Sequence, residues 1–141
     1  MTETRIDNVC FVGAGTMGAA NSLVAAASGY NVVIYDVSRE SLAAVPQKHE
    51  EMGGYLVSIG FCTAQHVADS ARRIRAEADL ARAVEAADLV SESVVEVLEV
   101  KRDVHARIDA LAPERTIQTT NTSGFLVSEI CLLYTSDAAD E

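Results

Sequence analysis

Three glycines spaced as Gly-x-Gly-x-x-Gly, at Gly13, Gly15 and Gly18, directly follow a short apolar run. In this pattern the first glycine permits a tight turn, the second lets a phosphate approach the backbone, and the third lets a helix pack closely on a strand. A helix beginning with Thr16 and Met17 would aim its free N–H groups and the positive end of its dipole at a bound anion. The motif predicts a site for a dinucleotide pyrophosphate. The alternative is a tight strand-to-helix turn that binds nothing.

An acidic residue, Asp36, ends the second apolar run, 18 residues after Gly18. A carboxylate at such a distance from the glycines accepts a hydrogen bond from the 2′-hydroxyl of the adenosine ribose. Because the same carboxylate would repel a 2′-phosphate, Asp36 predicts that the dinucleotide is NAD rather than NADP. The alternative is a strand-end acid that caps the next helix.

The elements that would hold this site alternate between strand and helix along the chain. Strands are predicted at 8–13, 31–36, 74–76, 88–93 and 116–120, of which the first two are apolar runs typical of buried strands. Helices are predicted at 16–28, 38–59, 63–72, 79–86 and 97–111, with a break at Pro46. This order predicts a Rossmann-type, doubly wound α/β fold with a mostly parallel sheet and a helical pair inserted after the second strand.

The composition favours a single domain and excludes several classes of protein. Hydrophobic residues make up 49% of the 141 residues, and aromatic residues only 5%, so the core should consist of aliphatic side chains. A net charge of −10 argues against a nucleic-acid-binding face. The three cysteines have no metal-ligand spacing, and no run is long enough to cross a membrane. We expect a cytoplasmic protein without a metal site.

Further motifs follow the glycines in a fixed order. They are Arg75-Ala-Glu-Ala-Asp-Leu, Ala87-Asp-Leu-Val-Ser-Glu-Ser-Val-Val-Glu96, Lys101 and Thr120-Asn-Thr-Ser-Gly124. Together with segment 13–36, they resemble the NAD-binding domain of the 3-hydroxyacyl-CoA dehydrogenases over residues 6–130. The resemblance implies NAD-dependent oxidation of an L-3-hydroxyacyl-CoA to the 3-ketoacyl-CoA in fatty-acid metabolism. The family also has members that act on 3-hydroxybutyryl-CoA, carnitine and gulonate.

The resemblance also assigns roles to residues that follow two of the predicted strands. Glu96 and Lys101 match residues that line the nicotinamide-ribose side of the cofactor, and Asn121 belongs to the same cofactor-binding set. Ser123 matches the serine that hydrogen-bonds near the hydroxyl or keto oxygen of the substrate. The alternatives are a helix-start acid followed by a lysine in solvent, for Glu96 and Lys101, and a polar turn that caps the next helix, for Ser123.

No histidine of the chain matches the general base of the family. That base is a histidine, oriented by a glutamate, which follows the next strand after the Asn-Thr-Ser motif. His49, His66 and His105 instead fall in predicted helices among charged neighbours, so we expect them in solvent. The chain is therefore expected to bind the cofactor without turning over a substrate, because loss of a general base costs about 10²–10⁴ in rate.

Residues 131–141 depart from the family pattern and resemble the translation of a sequencing-library adapter. We therefore expect an NAD-binding domain over 1–130, incomplete at its C-terminal end, followed by a non-native tail. In the family a helical second domain closes the acyl-CoA site and forms a homodimer, and we expect that domain to lie beyond this segment. Two other hypotheses stay open. One is a related dehydrogenase for a non-CoA substrate such as gulonate or carnitine, and the other is a non-catalytic nucleotide-binding module.

Overall fold

The computed structural model describes residues 3–131 and arranges them as a parallel sheet between two layers of helices. The strands are β1 (Asn8–Val12), β2 (Asn31–Tyr35), β3 (Arg75–Glu77), β4 (Leu89–Glu92) and β5 (Ile117–Thr120). The helices are α1 (Thr16–Ala27), α2 (Arg39–Ala43), α3 (Val45–Ser58), α4 (Ala64–Arg72), α5 (Leu80–Val84), α6 (Leu98–Leu111) and α7 (Val127–Ile130). The predicted doubly wound α/β fold, with extra helices after β2, is confirmed.

The order of the strands places the glycine motif at a reversal of the chain's direction across the sheet. The order is β3-β2-β1-β4-β5, and every neighbouring pair is parallel. The chain therefore moves outward from β1 in one direction, returns to β4 beside β1, and then moves outward in the other. In sheets of this kind ligands bind in the crevice at the carboxyl ends of the strands where the direction changes. The turns after β1 and β4 lie side by side at that crevice.

Alternate side chains of β1 enter two separate cores, one on each face of the sheet. Val9 and Phe11 pack with α1 and α3, whereas Cys10 and Val12 pack with α5 and α6. This alternation follows from the two-residue repeat of a strand, and it explains why β1 is apolar from Val9 to Val12. Burial raises the pKa of the Cys10 thiol to about 12, so this cysteine serves as a small apolar core residue.

The helices inserted after β2 begin and end where local signals predict. Ala44 separates α2 from α3, and Pro46 lies in the first turn of α3, where its missing N–H costs no hydrogen bond. The Thr63 hydroxyl caps α4 by accepting from the backbone N–H of His66 at 3.1 Å. Gly53 lets α3 and α4 cross closely, because a Cβ there would lie 2.5 Å from the Val67 side chain.

Within residues 3–131, no helix is both long enough and apolar enough to span a membrane. The predicted tail at 131–141 lies outside the described residues, except for Cys131.

Candidate functional site

The fold requires glycine at two of the three motif positions. Gly13 has a φ of +110°, and a Cβ there would lie 2.6 Å from the Ser93 carbonyl oxygen. At Gly18, a Cβ would lie 1.8 Å from the Gly13 carbonyl oxygen. Gly15 has an ordinary φ of −68°, and a Cβ there would meet no atom within 4 Å. The fold therefore needs Gly13 and Gly18 but makes no demand for glycine at position 15.

The open space at Gly15 fits a group that is not part of the chain. Gly15, Thr16 and Met17 are exposed, and no side chain caps the first turn of α1. That turn also contains no acidic residue. Its free N–H groups and the helix dipole together favour an anion at this point. The turn thus has the backbone donors and the clearance that the pyrophosphate of a dinucleotide requires.

Asp36 holds the glycine turn from the end of β2. One carboxylate oxygen accepts from the Ala14 N–H at 2.8 Å, and the other accepts from the Ser38 N–H at 2.8 Å. The cap of α2 is Ser38, whose hydroxyl accepts from the Ser41 N–H, so Asp36 is not the capping residue. Asp36 is half-buried, and each of its oxygens keeps a lone pair for a further donor. Its predicted bond to the ribose is compatible with these contacts.

A buried polar cluster lies at the ends of β4 and β5, and Lys101 is the one member of it that the sequence predicted as a site residue. We define the Glu92 cluster as Glu92, Lys101, His105 and Thr120. Lys101 Nζ donates to one Glu92 oxygen at 2.8 Å, while His105 Nε2 and the Thr120 hydroxyl donate to the other at 3.1 and 2.8 Å. Neither Glu92 nor Lys101 has any exposed side-chain surface. The alternative that places Lys101 in solvent is therefore wrong.

The protonation of Glu92 is set by two opposing effects. Burial by itself would raise the pKa of this carboxyl, but hydrogen bonds from His105, Lys101, Thr120 and the Val94 N–H lower it to about 2. Glu92 is consequently an anion at neutral pH, and the cation of Lys101 compensates its charge. This arrangement follows the rule that a buried charge is paired and fully hydrogen-bonded.

Glu96 connects this cluster to the turn after β5. One of its oxygens lies 3.4 Å from Lys101 Nζ, and the other accepts from the Thr122 hydroxyl and from the Gly124 N–H. The bond from Thr122, with a smaller contribution from the charge of Lys101, holds the pKa of Glu96 below its usual value. Glu96 is 43% exposed, so it reaches solvent where Lys101 does not.

The predicted substrate residue Ser123 is exposed, and the structure gives it no hydrogen bond within residues 3–131. It does not cap α7, which begins four residues later at Val127, so that alternative is wrong. Thr122 shapes the turn instead, because its hydroxyl accepts from the Phe125 N–H at 3.2 Å. Asn121 is exposed, and its backbone N–H donates to the Glu92 carbonyl at 2.8 Å.

The prediction that all three histidines lie in solvent is wrong for two of them. His49 is buried beside the Ser22 hydroxyl at 2.8 Å, and burial lowers its pKa. His105 is buried, with Nε2 at Glu92 and Nδ1 3.1 Å from the Gln118 side-chain oxygen. His66 is exposed, and its Nε2 lies 2.7 Å from the Ala27 carbonyl oxygen. Helical position among charged neighbours does not show which face of a helix packs on the sheet.

Two sequence signals could have revealed the Glu92 cluster. Glu92 is a charged residue inside a predicted buried strand, and such a residue needs a partner. Lys101 and His105 are four residues apart, so they lie on one face of α6. The sequence does not reveal that this face is the one that packs against β4.

The sequence matches a known family of NAD-binding domains and several characterised proteins. The family model described as "3-hydroxyacyl-CoA dehydrogenase, NAD binding domain" matches residues 8–137. The chain is 36% identical over 127 residues to the 3-hydroxyadipyl-CoA dehydrogenase of Escherichia coli (strain K12), and the match covers 89% of this chain and 26% of that protein.

Two solved structures are also similar. A diketoreductase that acts on dicarbonyl compounds superposes with a TM-score of 0.85 at 34% identity, over 92% of this chain and 46% of that one. The 3-hydroxybutyryl-CoA dehydrogenase from Escherichia coli K12 superposes with a TM-score of 0.80 at 34% identity, over 89% of this chain and 26% of that one. The chain spans between 26% and 44% of the length of the first curated relatives that it matches.

Proposed function

The chain belongs to the 3-hydroxyacyl-CoA dehydrogenase family, whose NAD-binding domain it matches, and on that premise we propose that it supplies the cofactor-binding part of an enzyme that oxidises L-3-hydroxyacyl-CoA to 3-ketoacyl-CoA. NAD, when bound, accepts the hydride that leaves C3 of the substrate. The observation that carries the proposal is the open Gly15 at the exposed start of α1, beside Asp36. No packing or conformational need within the fold explains a glycine there.

Each predicted cofactor residue has a distinct task in this proposal. The N–H groups of Gly15, Thr16 and Met17 bind the pyrophosphate, and Asp36 accepts the ribose 2′-hydroxyl. Glu96 is exposed enough to face the nicotinamide ribose. Lys101 is fully buried, so it acts by holding Glu96 in place rather than by contacting the cofactor.

The substrate-facing residues lie on the turn after β5. Ser123 is exposed and has its hydroxyl free of partners within residues 3–131, so it is able to bind the oxygen of a substrate. Asn121 precedes it and completes the cofactor-facing side of the same turn. Thr122 positions both residues through its bond to Glu96. Exposed apolar side chains flank this edge, namely Val95, Val97, Leu126 and Val127. They would pack against an acyl-CoA or against a further part of the enzyme.

No histidine within residues 3–131 is placed to act as the general base. His105 forms a pair with a glutamate, which is the pattern of an oriented base, but it is buried and both of its nitrogens face protein oxygens. We therefore expect no reduction of acetoacetyl-CoA by this chain alone when NADH absorbance is followed. Turnover would show that another residue of the chain donates the proton that the keto oxygen takes up in this direction.

The substrate class has a second candidate. The diketoreductase and the 3-hydroxybutyryl-CoA dehydrogenase are both 34% identical to this chain, so overall identity does not favour the CoA ester. A non-CoA substrate is thus the alternative, and a non-catalytic nucleotide-binding module is a third. With the main proposal we also infer an enzyme that works as a homodimer, as the family resemblance implies, and we keep the expectation from the sequence that it is cytoplasmic.

Isothermal titration calorimetry, which measures the affinities of the chain for NAD and for NADP, tests the proposal. We expect NAD to bind more tightly, because the Asp36 carboxylate accepts the 2′-hydroxyl and repels a 2′-phosphate. Asp36→Asn keeps one accepting oxygen and removes the charge, so it should narrow the difference between the two cofactors. Asp103→Asn, at an exposed site on α6, is the matched control and should leave both affinities unchanged. Tighter binding of NADP by the unmodified chain would contradict the proposal.

A further inference from the structure

A lysine from the inserted helices reaches the glycine turn. Lys48 lies on α3, and its Nζ donates to the Ala14 carbonyl oxygen at 3.0 Å across 34 residues of chain. Ala14 stands between Gly13 and Gly15, so the ammonium group lies against the motif itself. Nothing in the local sequence of α3 indicates this contact, which exists only because α3 packs on α1 beside the turn.

Lys48 forms no ion pair within the part of the chain that the structure describes, although Glu51 lines the same cleft. None of the ion pairs found in residues 3–131 includes Lys48. Its contact with Ala14 uses one of three ammonium donors, so two remain for another acceptor. The side chain is half-buried, which restricts where these donors can point. A local cation at this turn contrasts with the chain's net charge of −10.

Lys48 shares open space with the start of α1. It lines a cleft of about 400 Å³ between α1 and α3, together with Thr16, the first residue of α1. The first turn of α1 offers backbone N–H groups, the Thr16 hydroxyl and a partial positive charge to an anion, but no charged side chain. A full positive charge at the side of that turn strengthens binding of a doubly charged pyrophosphate.

We propose that Lys48 is a further cofactor-binding residue, a cation that holds the pyrophosphate of NAD at the first turn of α1. The inference rests on the proposed function, because it presupposes that a dinucleotide binds at the glycine turn. Asp36 and Lys48 then hold Ala14 from its two sides, through its N–H and its carbonyl oxygen. Asp36 serves the adenosine ribose, and Lys48 serves the phosphates.

Calorimetric titration with NAD, NADP, ADP and adenosine separates a role in pyrophosphate binding from a role in shaping the turn and from a role in binding a 2′-phosphate. Lys48→Met keeps most of the apolar stem and removes the charge. This substitution should lower the affinities for NAD and for ADP by about tenfold each, and it should leave the affinity for adenosine unchanged. Lys48→Arg should restore most of the lost affinity. Arg107→Met removes the same charge from exposed α6, on the other face of the sheet, and should change no affinity. The difference between Lys48→Met and the unmodified chain should shrink at high salt.

The outcomes distinguish this inference from the function on which it rests. Unchanged NAD affinity in Lys48→Met, while the unmodified chain binds NAD, would overturn the role of Lys48 alone. Equal losses for adenosine and ADP would also overturn it, because they would indicate a damaged turn. A greater loss for NADP than for NAD would assign the lysine to a 2′-phosphate instead. Failure of the unmodified chain to bind NAD would overturn the proposed function together with this inference.

Discussion

The glycine turn and the Glu92 cluster lie at the same edge of the sheet, but their polar groups are used in opposite ways. At the glycine turn the first residues of α1 are exposed, and their N–H groups have no side-chain cap. In the Glu92 cluster the carboxylate and the ammonium group are fully buried and bonded to each other. Open donors are suited to a ligand, whereas paired charges fix the positions of β4, β5 and α6. Changes to the first region should therefore reduce binding, and changes to the second should reduce stability.

The largest expected effect comes from breaking the buried ion pair. Lys101→Met leaves the Glu92 carboxylate buried without its cation, which should lower the free energy of unfolding by about 3–5 kcal/mol. The matched control is Arg115→Met, which removes an exposed partner of Asp88 and should cost less than about 1 kcal/mol. Urea denaturation followed by circular dichroism measures both variants. Equal free energies of unfolding for Lys101→Met and Arg115→Met would show that the buried ion pair of the Glu92 cluster is not important for stability.

Acid should destabilise the domain through the same cluster. The pKa of Glu92 is about 2 in the folded chain against an ordinary value of 4.5, so its stabilising contribution is complete above pH 4.5 and is lost as the pH falls towards 2. The full difference corresponds to about 3 kcal/mol of unfolding free energy.

Denaturation curves across this acidic range check the prediction, with Glu92→Gln as the comparison. The glutamine cannot ionise, so the stability of that variant should depend less steeply on pH. Asp88, whose pKa is lowered chiefly by hydrogen bonds from the Asp7 and Asn8 N–H groups, contributes equally to both proteins. Identical slopes for the two proteins would show that Glu92 does not carry the effect.

The smallest change in stability, with a large loss of binding, is expected at the glycine turn. Gly15→Val places a side chain in the space above α1, so NAD affinity should fall by about a hundredfold or more, which is about 2.7 kcal/mol. The far-ultraviolet circular dichroism should stay native, because no protein atom lies within 4 Å of the new Cβ. Gly54→Val, also at an open position but on α3, should bind NAD normally. Retained affinity in Gly15→Val would show that the motif is only a turn.

Local patterns predicted the elements of the fold except the short helix α7, which was not predicted from the sequence. Apolar runs predicted β1 and β2, Pro46 predicted a break in the helical segment after β2, and Thr63 predicted the start of α4. The glycine motif and Asp36 directly follow β1 and β2, so the sequence also placed them at the carboxyl edge of the sheet. These features depend on neighbouring residues, on the two-residue repeat of strands and on the conformations that glycine and proline allow. Each of these features can therefore be predicted from a short stretch of sequence without knowledge of the rest of the chain.

The partners of the charged side chains were decided only by the tertiary structure. In the sequence, Lys101 and His105 have the pattern of solvent-exposed residues, yet in the structure α6 packs so that both hydrogen-bond to Glu92. In the same way, α3 packs so that Lys48 reaches the glycine turn. The local sequence of a helix does not show whether a long polar side chain contacts water or a buried carboxylate, because that depends on which face of the helix the sheet covers. Packing among segments distant in the chain makes that choice. The sequence therefore determined where the predicted dinucleotide site lies, and the tertiary structure determined which charges are paired around it.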